Sequence, residues 1–259
     1  MTFTATESLA LYLRTLKLPS FAQNRDEAAK RAESEGWTYQ RYLCELAEHE
    51  LQDREMRRVE RLKRQSKLPS DKTLETLDVP RLPAQVRSRL PALCEGGFVE
   101  RAENVLAFGL PGRGKTHCLA AIGHELVRRS YSVLFVPAFK LVQMLLIAKR
   151  DLLLEATIRR LDRFQAVLID DIGYVQQNRE EIAVLFTFLA ERYERRSVMI
   201  TSNLVFSQWD RIFKDPMTTA CAIDRLVHHA TILELTGSSY REEMARKRQG
   251  RGKSKGVEA

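Results

Sequence analysis

The segment Gly-Leu-Pro-Gly-Arg-Gly-Lys-Thr at residues 109–116 constrains this chain more than any other part of the sequence. It fits the pattern G-x-x-x-x-G-K-[ST], in which glycines let backbone N–H groups turn inward and converge on phosphate oxygens. The lysine adds a positive charge for the β- and γ-phosphates, and the threonine offers its hydroxyl to Mg²⁺. The predicted nucleotide-binding residues are Gly109, Leu110, Pro111, Gly112, Arg113, Gly114, Lys115, Thr116 and His117, with Thr116 also a metal ligand.

The residues on either side fit a phosphate-binding loop between a strand and a helix. Residues 104–108 have the composition of a short buried strand, and those from His117 onward have that of the first turns of a helix. A helix that begins here directs the positive end of its dipole at the phosphates. The alternative is a glycine-rich turn with a chance lysine, and the acidic strand described next argues against it.

A hydrophobic strand at residues 166–169 ends in two carboxylates, Asp170 and Asp171. A carboxylate at the end of this strand can hold the water shell of Mg²⁺, and we assign that role to Asp170. Asp171 is placed to orient or deprotonate an attacking water. Two solvated aspartates would be the simpler interpretation if the phosphate-binding loop did not precede them by one strand–helix–strand interval.

The next strand, at residues 197–201, leads into Ser202 and Asn203. Because carboxyl ends of parallel strands share one edge of a sheet, Asn203 is expected beside Asp171. Its amide there would position a water or sense the γ-phosphate, and the alternative is an ordinary turn residue.

Residues 4–66 are expected to be entirely helical, with apolar residues at helical spacing. Breaks at Leu18–Ser20 and near Gly36 divide the region into three helices, with Ser20 and Thr38 as candidate N-caps. We predict a helical N-terminal domain at residues 1–68 that binds DNA or a partner and supports assembly.

The third helix carries a run of basic residues, which we call the basic stripe. It has two interpretations: a solvated helix face balanced by Glu55 and Glu60, or a surface that contacts nucleic-acid phosphates. The net charge of +8 and the pI near 9.4 suit an anionic macromolecular partner. The stripe consists of Arg54, Arg57, Arg58, Arg61, Lys63, Arg64 and Lys67.

From residue 73 to about residue 236, strand and helix patterns alternate, which predicts an α/β fold with a parallel sheet flanked by helices. The predicted ATPase domain covers residues 69–240, and the basic tail at residues 241–259 is expected to be partly disordered. The predicted strands are Val105–Phe108, Val133–Val136, Ala166–Ile169, Val198–Thr201 and Thr231–Leu235.

Cysteine spacing and hydropathy indicate in which cellular compartment the protein is found. Cysteines 44, 94, 118 and 221 form no C-x-x-C pair, which is typical of reduced thiols in the cytosol. The first residues include Glu7 and lack the basic and apolar runs of a signal peptide, and no apolar run approaches membrane-spanning length. A cytoplasmic protein without a membrane partner is expected, and the resemblance given below implies a bacterial one.

The motifs together resemble the AAA+ ATPases, and more closely the IstB family of transposition helpers encoded by bacterial insertion sequences. The resemblance spans nearly the whole chain, and its motifs are most specific in the ATPase region. They lie at residues 104–117, 169–174, 201–209, 222–229 and 239–241.

This resemblance implies ATP and Mg²⁺ as cofactors and assigns roles to three further residues. Asn203 matches the sensor position, and Arg225 matches the arginine finger that reaches the ATP of a neighbouring subunit. Arg241 is expected to contact phosphate. A salt bridge from Arg225 to Asp224 or Glu234 is the alternative for that residue. The sequence differs from many AAA+ proteins in having Asp, not Glu, at 171, and in leaving little room for a helical lid.

Two functions follow from the resemblance. The first is an ATPase that assembles as a homo-oligomer on double-stranded DNA and helps its cognate transposase engage the target. The second is a replicative helicase loader, in which the N-terminal helices would grip the helicase. A small-molecule kinase is a weaker possibility because neither a lid arginine cluster nor an acceptor pocket is evident.

Overall fold

The computed structural model describes residues 5–174, 179–204, 208–209, 216–236 and 239. The chain divides into two compact units, Met1–Arg61 and Leu62–Ala259. The division falls inside the third helix, a few residues before the boundary at residue 68 that the sequence suggested. The predicted domain limits at 68 and 240 remain predictions.

The first unit is helical, as predicted. Its helices are α1 (Ala5–Thr15), α2 (Pro19–Glu35) and α3 (Tyr39–Ser66), the last of which continues into the second unit. Gly36 ends α2 in the left-handed region at φ 64°, where a residue without Cβ is least strained. Thr38 caps α3 by accepting a hydrogen bond from the Arg41 amide at 3.2 Å, as expected from the sequence.

The prediction that Ser20 caps α2 is wrong. The helix already includes Pro19, so Ser20 lies in its first turn and Leu18 is the N-cap. The Ser20 amide donates to Glu50 at 2.9 Å, and its hydroxyl donates to Asp53 at 2.5 Å. Carboxylates of α3 therefore satisfy this helix end, a tertiary contact that local sequence does not reveal.

The second unit contains five parallel strands and seven further helices within the described residues. The strands form one sheet in the order β2-β3-β4-β1-β5, and every neighbouring pair is parallel. All five predicted strands are confirmed, and no strand end differs by more than one residue. The strands are β1 (Asn104–Phe108), β2 (Val133–Pro137), β3 (Ala166–Asp170), β4 (Ser197–Ser202) and β5 (Ala230–Glu234).

Helices follow or precede these strands as the alternating pattern predicts. They are α4 (Ala84–Glu95), α5 (Gly97–Glu100), α6 (Lys115–Arg128), α7 (Ala138–Arg150), α8 (Leu154–Leu161), α9 (Arg179–Arg192) and α10 (Pro216–Val227). Short 3-10 turns occur at Val79–Arg81 and Ile172–Tyr174. None of the helices in the described part of the chain is long and apolar enough to cross a membrane.

Both faces of the sheet are covered, because neighbouring side chains of each strand pack into different hydrophobic clusters. In β3, Val167 and Ile169 join one cluster, whereas Ala166 and Leu168 join the other. Strands buried on both faces read as continuous apolar runs, which explains why the sequence revealed them clearly. The carboxyl ends of β1, β3 and β4 therefore meet at one edge, which places the predicted site residues together.

Arg192 stabilises the other end of the sheet, where the amino ends of β3 and β4 lie. Its side chain is fully buried and donates hydrogen bonds to the carbonyl oxygens of Leu161, Phe164 and Ser197. Burial lowers its pKa to about 10, although the Asp162 carboxylate at 3.1 Å opposes that shift. These hydrogen bonds join the segment before β3 to the start of β4. They hold together the amino ends of the two strands that lead to the aspartates and to Asn203.

Candidate functional site

The glycine-rich segment forms a tight loop between β1 and α6. Gly112 and Gly114 adopt φ angles of 80° and 83°, and α6 begins at Lys115 with Gly114 as its N-cap. A Cβ on Gly112 would meet the Ser239 hydroxyl, so the close approach also requires glycine. The N–H groups at the start of α6 and the dipole of that helix make this loop a site for anions.

Lys115 lies inside this loop and is only 9% exposed. Its ammonium group donates hydrogen bonds to the carbonyl oxygens of Gly109 at 2.6 Å and Leu110 at 3.0 Å. The first two residues of the loop thus hold the lysine through their backbone. A phosphate oxygen carries more negative charge than a carbonyl oxygen and is the stronger acceptor for the same ammonium.

The predicted acidic residues and the loop threonine lie together at the end of the sheet. The Thr116 hydroxyl donates to Asp170 Oδ1 at 2.7 Å, although the two residues are 54 positions apart. Carboxylate and hydroxyl oxygens are the ligands that Mg²⁺ prefers, and it usually completes its octahedron with waters and phosphate oxygens. The donor set formed by Thr116 and Asp170 therefore fits Mg²⁺.

Thr201, which the sequence analysis did not single out, connects the two aspartates. Its hydroxyl donates to Asp170 Oδ1 at 2.7 Å and accepts a hydrogen bond from the Asp171 amide at 2.8 Å. Asp171 has a φ of 62°, a left-handed conformation that is uncommon for residues other than glycine but tolerated by Asp and Asn.

Asp171 and Asn203 face the same cavity, as expected for residues at the ends of neighbouring strands. The amide oxygen of Asn203 is buried against Gly173 and accepts no hydrogen bond from any described residue. A buried acceptor costs free energy unless it is paired, so this oxygen is suited to a bound water or ligand.

The cavity has a volume of about 620 Å³, within the usual range for small-molecule sites. One wall is the loop from Pro111 to His117, and Thr201 and Thr236 add to the lining. Gly109 and Leu110 contribute their carbonyl oxygens to Lys115 and are absent from the lining. Another part of the lining is formed by Lys72, Thr76, Leu77, Asp78, Arg81, Leu82 and Pro83.

This part of the lining, which we call the strap (residues 69–83), contains none of the predicted site residues, and the sequence marks only residues 68–71 as a boundary or linker. His117 Nε2 lies 3.1 Å from the Thr76 hydroxyl and 3.2 Å from the Thr73 carbonyl oxygen. His124, two turns further along α6, lies 3.0 Å from the Pro69 carbonyl oxygen. The predicted site residue His117 therefore lines the cavity and also fastens the strap to the helix that follows the loop.

The chain after β5 closes the other side of the loop. A Cβ on Gly109 would meet the Leu235 carbonyl oxygen, and the Leu235 amide donates to the Phe108 carbonyl oxygen at 2.7 Å. Ser239 lies against Gly112. Arg241, the predicted phosphate contact, lies outside the described residues.

Arg225, in the last turn of α10, is not part of the cavity lining. Its guanidinium group lies 5.0 Å from the centre of the Phe186 ring on α9. Among the described residues, no ion pair joins Arg225 to Asp224 or Glu234, so the intramolecular salt bridge weighed as its alternative is not formed there. The side chain is half-buried, and its role as an arginine finger stays a prediction.

All residues of the basic stripe are exposed. Arg54 and Arg57 contact Glu50 at 2.8 and 3.3 Å, so part of their charge is balanced within the helix. The exposure agrees with both interpretations of the stripe, and phosphate contact by Arg54, Arg57, Arg58, Arg61, Lys63 and Arg64 stays a prediction.

The sequence of this chain is similar to those of a known family and of several relatives. The family described as IstB-like ATP binding protein matches residues 11–248. The chain is 42% identical over 238 residues to an insertion sequence ATP-binding protein of Sinorhizobium fredii, covering 92% of this chain and 80% of that protein. It is 36% identical over 239 residues to the ATP-binding protein of insertion sequence IS21 from Pseudomonas aeruginosa, covering 92% and 90%.

Solved structures agree on the fold. The replication initiator DnaA, bound to AMPPCP and single-stranded DNA, superposes with a TM-score of 0.56 at 17% identity, covering 72% of this chain and 56% of that one. DnaI superposes with a TM-score of 0.55 at 22% identity, covering 66% and 96%. The parallel sheet and its flanking helices are thus the P-loop AAA+ fold that the sequence predicted.

Proposed function

This chain belongs to the IstB-like ATP binding protein family, and we propose that it is an ATPase that assembles on DNA and assists the transposase of an IS21-type insertion sequence. The observation that carries the proposal is the hydrogen bond from Thr116 to Asp170 at the mouth of the phosphate-binding loop. It joins the loop to the acidic strand beside the cavity that Thr116 and Asp171 line, the arrangement that binding of a nucleotide with Mg²⁺ needs.

In this proposal the chain's own residues bind and orient ATP. The N–H groups of the loop and the Lys115 ammonium would hold the β- and γ-phosphates, while the strap provides a wall for the rest of the nucleotide. Thr116 and Asp170 would hold Mg²⁺, which when bound neutralises charge that develops on the phosphates. These contacts stabilise the transition state through positioning and electrostatics rather than covalent chemistry.

Water activation would fall to the two polar residues beyond the metal site. Asp171 would accept a proton from, or orient, the attacking water. Asn203, whose amide oxygen is buried without a partner among the described residues, would fix the position of that water or detect the γ-phosphate. Both residues lie on the cavity wall at the ends of neighbouring strands.

We propose that Arg225 completes the site of a neighbouring subunit. Its absence from the lining of its own cavity and from ion pairs with Asp224 and Glu234 in the described chain supports a role in trans. An arginine donated to a partner's γ-phosphate stabilises transition-state charge and makes hydrolysis depend on assembly. ATP, Mg²⁺ and a homo-oligomer are therefore parts of one proposal.

Double-stranded DNA is the proposed anionic partner. The net charge of +8 and the exposed basic stripe would bind phosphates without reading base sequence. Related proteins named for insertion sequences, matched over about nine-tenths of this chain, support a transposase as the protein partner. The proposed compartment is the bacterial cytoplasm.

A helicase loader is the alternative, since DnaI shares the fold. An identity of 22% carries the fold only, whereas the insertion-sequence relatives match the helical N-terminal region as well. The specific observations therefore favour the transposition helper.

A single set of binding experiments tests this function. The protein is mixed with duplex DNA and either ATP, a slowly hydrolysed analogue or no nucleotide, and is then offered the transposase of its own element or the host replicative helicase. We expect nucleotide-dependent assemblies on DNA, visible by electron microscopy, that retain the transposase. Retention of the helicase alone, without assembly on DNA, would replace the proposal with the loader.

A further inference from the structure

We propose that Thr201 is a positioning residue that fixes both aspartates of the nucleotide site through one hydroxyl group. This inference rests on the proposed function of the cavity, because it concerns how Asp170 and Asp171 are held for Mg²⁺ and water. Thr201 lies near the carboxyl end of β4, and its side chain is fully buried.

The direction of the hydroxyl proton follows from its two partners. The Asp171 N–H can only donate, so at 2.8 Å the Thr201 oxygen must accept. The ionised Asp170 carboxylate can only accept, so at 2.7 Å the hydroxyl proton must point to Oδ1. A valine has the same shape but can make neither bond.

The hydrogen bond from the Thr201 hydroxyl to Asp170 determines how the Asp170 carboxylate is oriented. Oδ1 of this residue receives hydrogen bonds from Thr116 and Thr201, both at 2.7 Å, from two different elements of the fold. Two donors fix the rotation of the carboxylate, whereas Thr116 alone would leave it free to turn. Partners of this kind orient a metal-binding carboxylate without touching the metal.

The hydrogen bond from the Asp171 amide to Thr201 supports the backbone conformation of Asp171. Its φ of 62° is costly for a residue with a side chain, and the hydrogen bond from its amide to Thr201 offsets part of that cost. The left-handed backbone sets where the second carboxylate lies on the cavity wall. Loss of the Thr201 hydroxyl would therefore disturb both the metal-holding and the water-orienting aspartate.

The test compares Thr201→Val, which removes the hydroxyl, with Thr201→Ser, which keeps it. Thr157→Val is the matched control, because Thr157 is a nearly buried threonine in α8 outside the cavity lining. Affinity for a fluorescent ATP analogue is measured with and without Mg²⁺, and kcat and KM are measured for ATP hydrolysis.

We expect Thr201→Val to bind nucleotide normally without Mg²⁺ but to lose the gain in affinity that Mg²⁺ gives. Its kcat should fall roughly 10- to 100-fold, the usual loss for a partner that orients a metal ligand, while Thr201→Ser retains most of both properties. A role in packing alone would not separate the Mg²⁺ response from nucleotide affinity.

Two outcomes overturn the proposal. Thr201→Val that matches Thr157→Val in Mg²⁺ response and kcat would show that the hydroxyl is dispensable, and equal losses in Thr201→Ser would assign the effect to the methyl group. If Thr201→Val does not fold, Thr201→Cys, similar in size to serine and only a weak hydrogen-bond donor, is measured in its place. Failure of the wild-type protein to hydrolyse ATP would count against the proposed function, and the Mg²⁺ response of nucleotide binding would still decide the role of Thr201.

Discussion

Side chains are buried very differently in the two compact units. In the second unit, apolar side chains fill both faces of the sheet, and the nucleotide cavity lies at the edge of that core. In the N-terminal unit, the buried apolar residues within the described chain are Leu13, Ala28 and Leu46. The difference suggests that the geometry of the nucleotide site is set by a core, whereas the order of the N-terminal helices depends more on polar contacts.

Two polar contacts illustrate this dependence. Glu50 and Asp53 bind the first turn of α2, and the guanidinium groups of Arg31 and Arg41 lie 5.5 and 4.4 Å from the centre of the Trp37 ring. The same unit exposes large apolar side chains, which small domains with limited cores commonly do. These exposed residues are Leu9, Leu11, Tyr12, Leu16, Tyr39, Leu43, Leu51 and Met56.

The largest expected effect follows from a change inside the second unit. Lys115→Ala removes the buried ammonium from the phosphate-binding loop, so ATP hydrolysis should fall below detection. Nucleotide binding should weaken by roughly 1.5–3 kcal/mol, the value of a charge-assisted hydrogen bond. Lys30→Ala, an exposed lysine of the N-terminal unit, is the control, and equal activity of the two variants would refute the assignment of the loop.

Arg225→Ala should reduce turnover by about 10³-fold or more, because the transition state loses a donated positive charge. Nucleotide binding by the single chain should be nearly unchanged. Mixing Arg225→Ala with Lys115→Ala should restore part of the activity, since some interfaces then pair an intact loop with an intact arginine.

The control for this mixture is a chain that carries both substitutions. Mixed with either single variant, it can form no interface with two intact halves, so activity should stay absent. If mixed oligomers form but Arg225→Ala and Lys115→Ala do not complement each other, Arg225 acts within its own chain.

Asp171→Asn should lower turnover by roughly 10²-fold while nucleotide binding and assembly persist. Asn tolerates the left-handed backbone at this position at least as well as Asp, so the change removes the base without straining the loop. Asp26→Asn, at an aspartate on the surface of the N-terminal unit, should have no effect. Wild-type turnover in Asp171→Asn would transfer the role to another residue.

The sequence predicted the parts of this site that follow from topology. Once a loop follows one strand and carboxylates follow another, parallel pairing brings Lys115, Thr116 and Asp170 to the same edge, whatever the distance along the chain. The buried strands were equally clear, because continuous apolar runs leave little choice of element.

The sequence could not predict contacts that depend on the path of a loop or on a single torsion. Residues 68–71, where the strap begins, have the composition of a boundary or linker, and only the path of the strap places Thr76 against His117. Thr201 is one threonine in an apolar strand, and the left-handed φ of Asp171 leaves no signal in the sequence. Ser20 had the composition of a cap, but the carboxylates of α3 decided its role.

A smaller effect is expected from the surface of the N-terminal unit. Replacing Arg57, Arg58 and Arg61 together by Ala should reduce the dependence of DNA affinity on salt, by roughly 0.9 in the log–log slope for each DNA phosphate that the variant no longer neutralises. Replacing Arg87, Arg128 and Arg129, exposed arginines of the second unit, removes the same charge and is the control. If both triple variants change the slope equally, the stripe is only a solvated face.

The smallest effect concerns the carboxylate that ties α2 to α3. Burial opposes ionisation of Glu50, but hydrogen bonds from Arg54 and the Ser20 amide outweigh it and lower the pKa of this group. A lowered pKa stabilises the folded state above the unfolded pKa of about 4.3, and this contribution is lost as the pH falls through the folded value. Glu50→Gln should therefore destabilise α2 by about 1–2 kcal/mol at pH 7, measured by hydrogen exchange of its amides, and by progressively less below about pH 4. Glu60→Gln, on the exposed face of the same helix, should change neither the stability of α2 at pH 7 nor its dependence on pH. If Glu50→Gln destabilises α2 equally at every pH, the ionised form of Glu50 does not hold the two helices together.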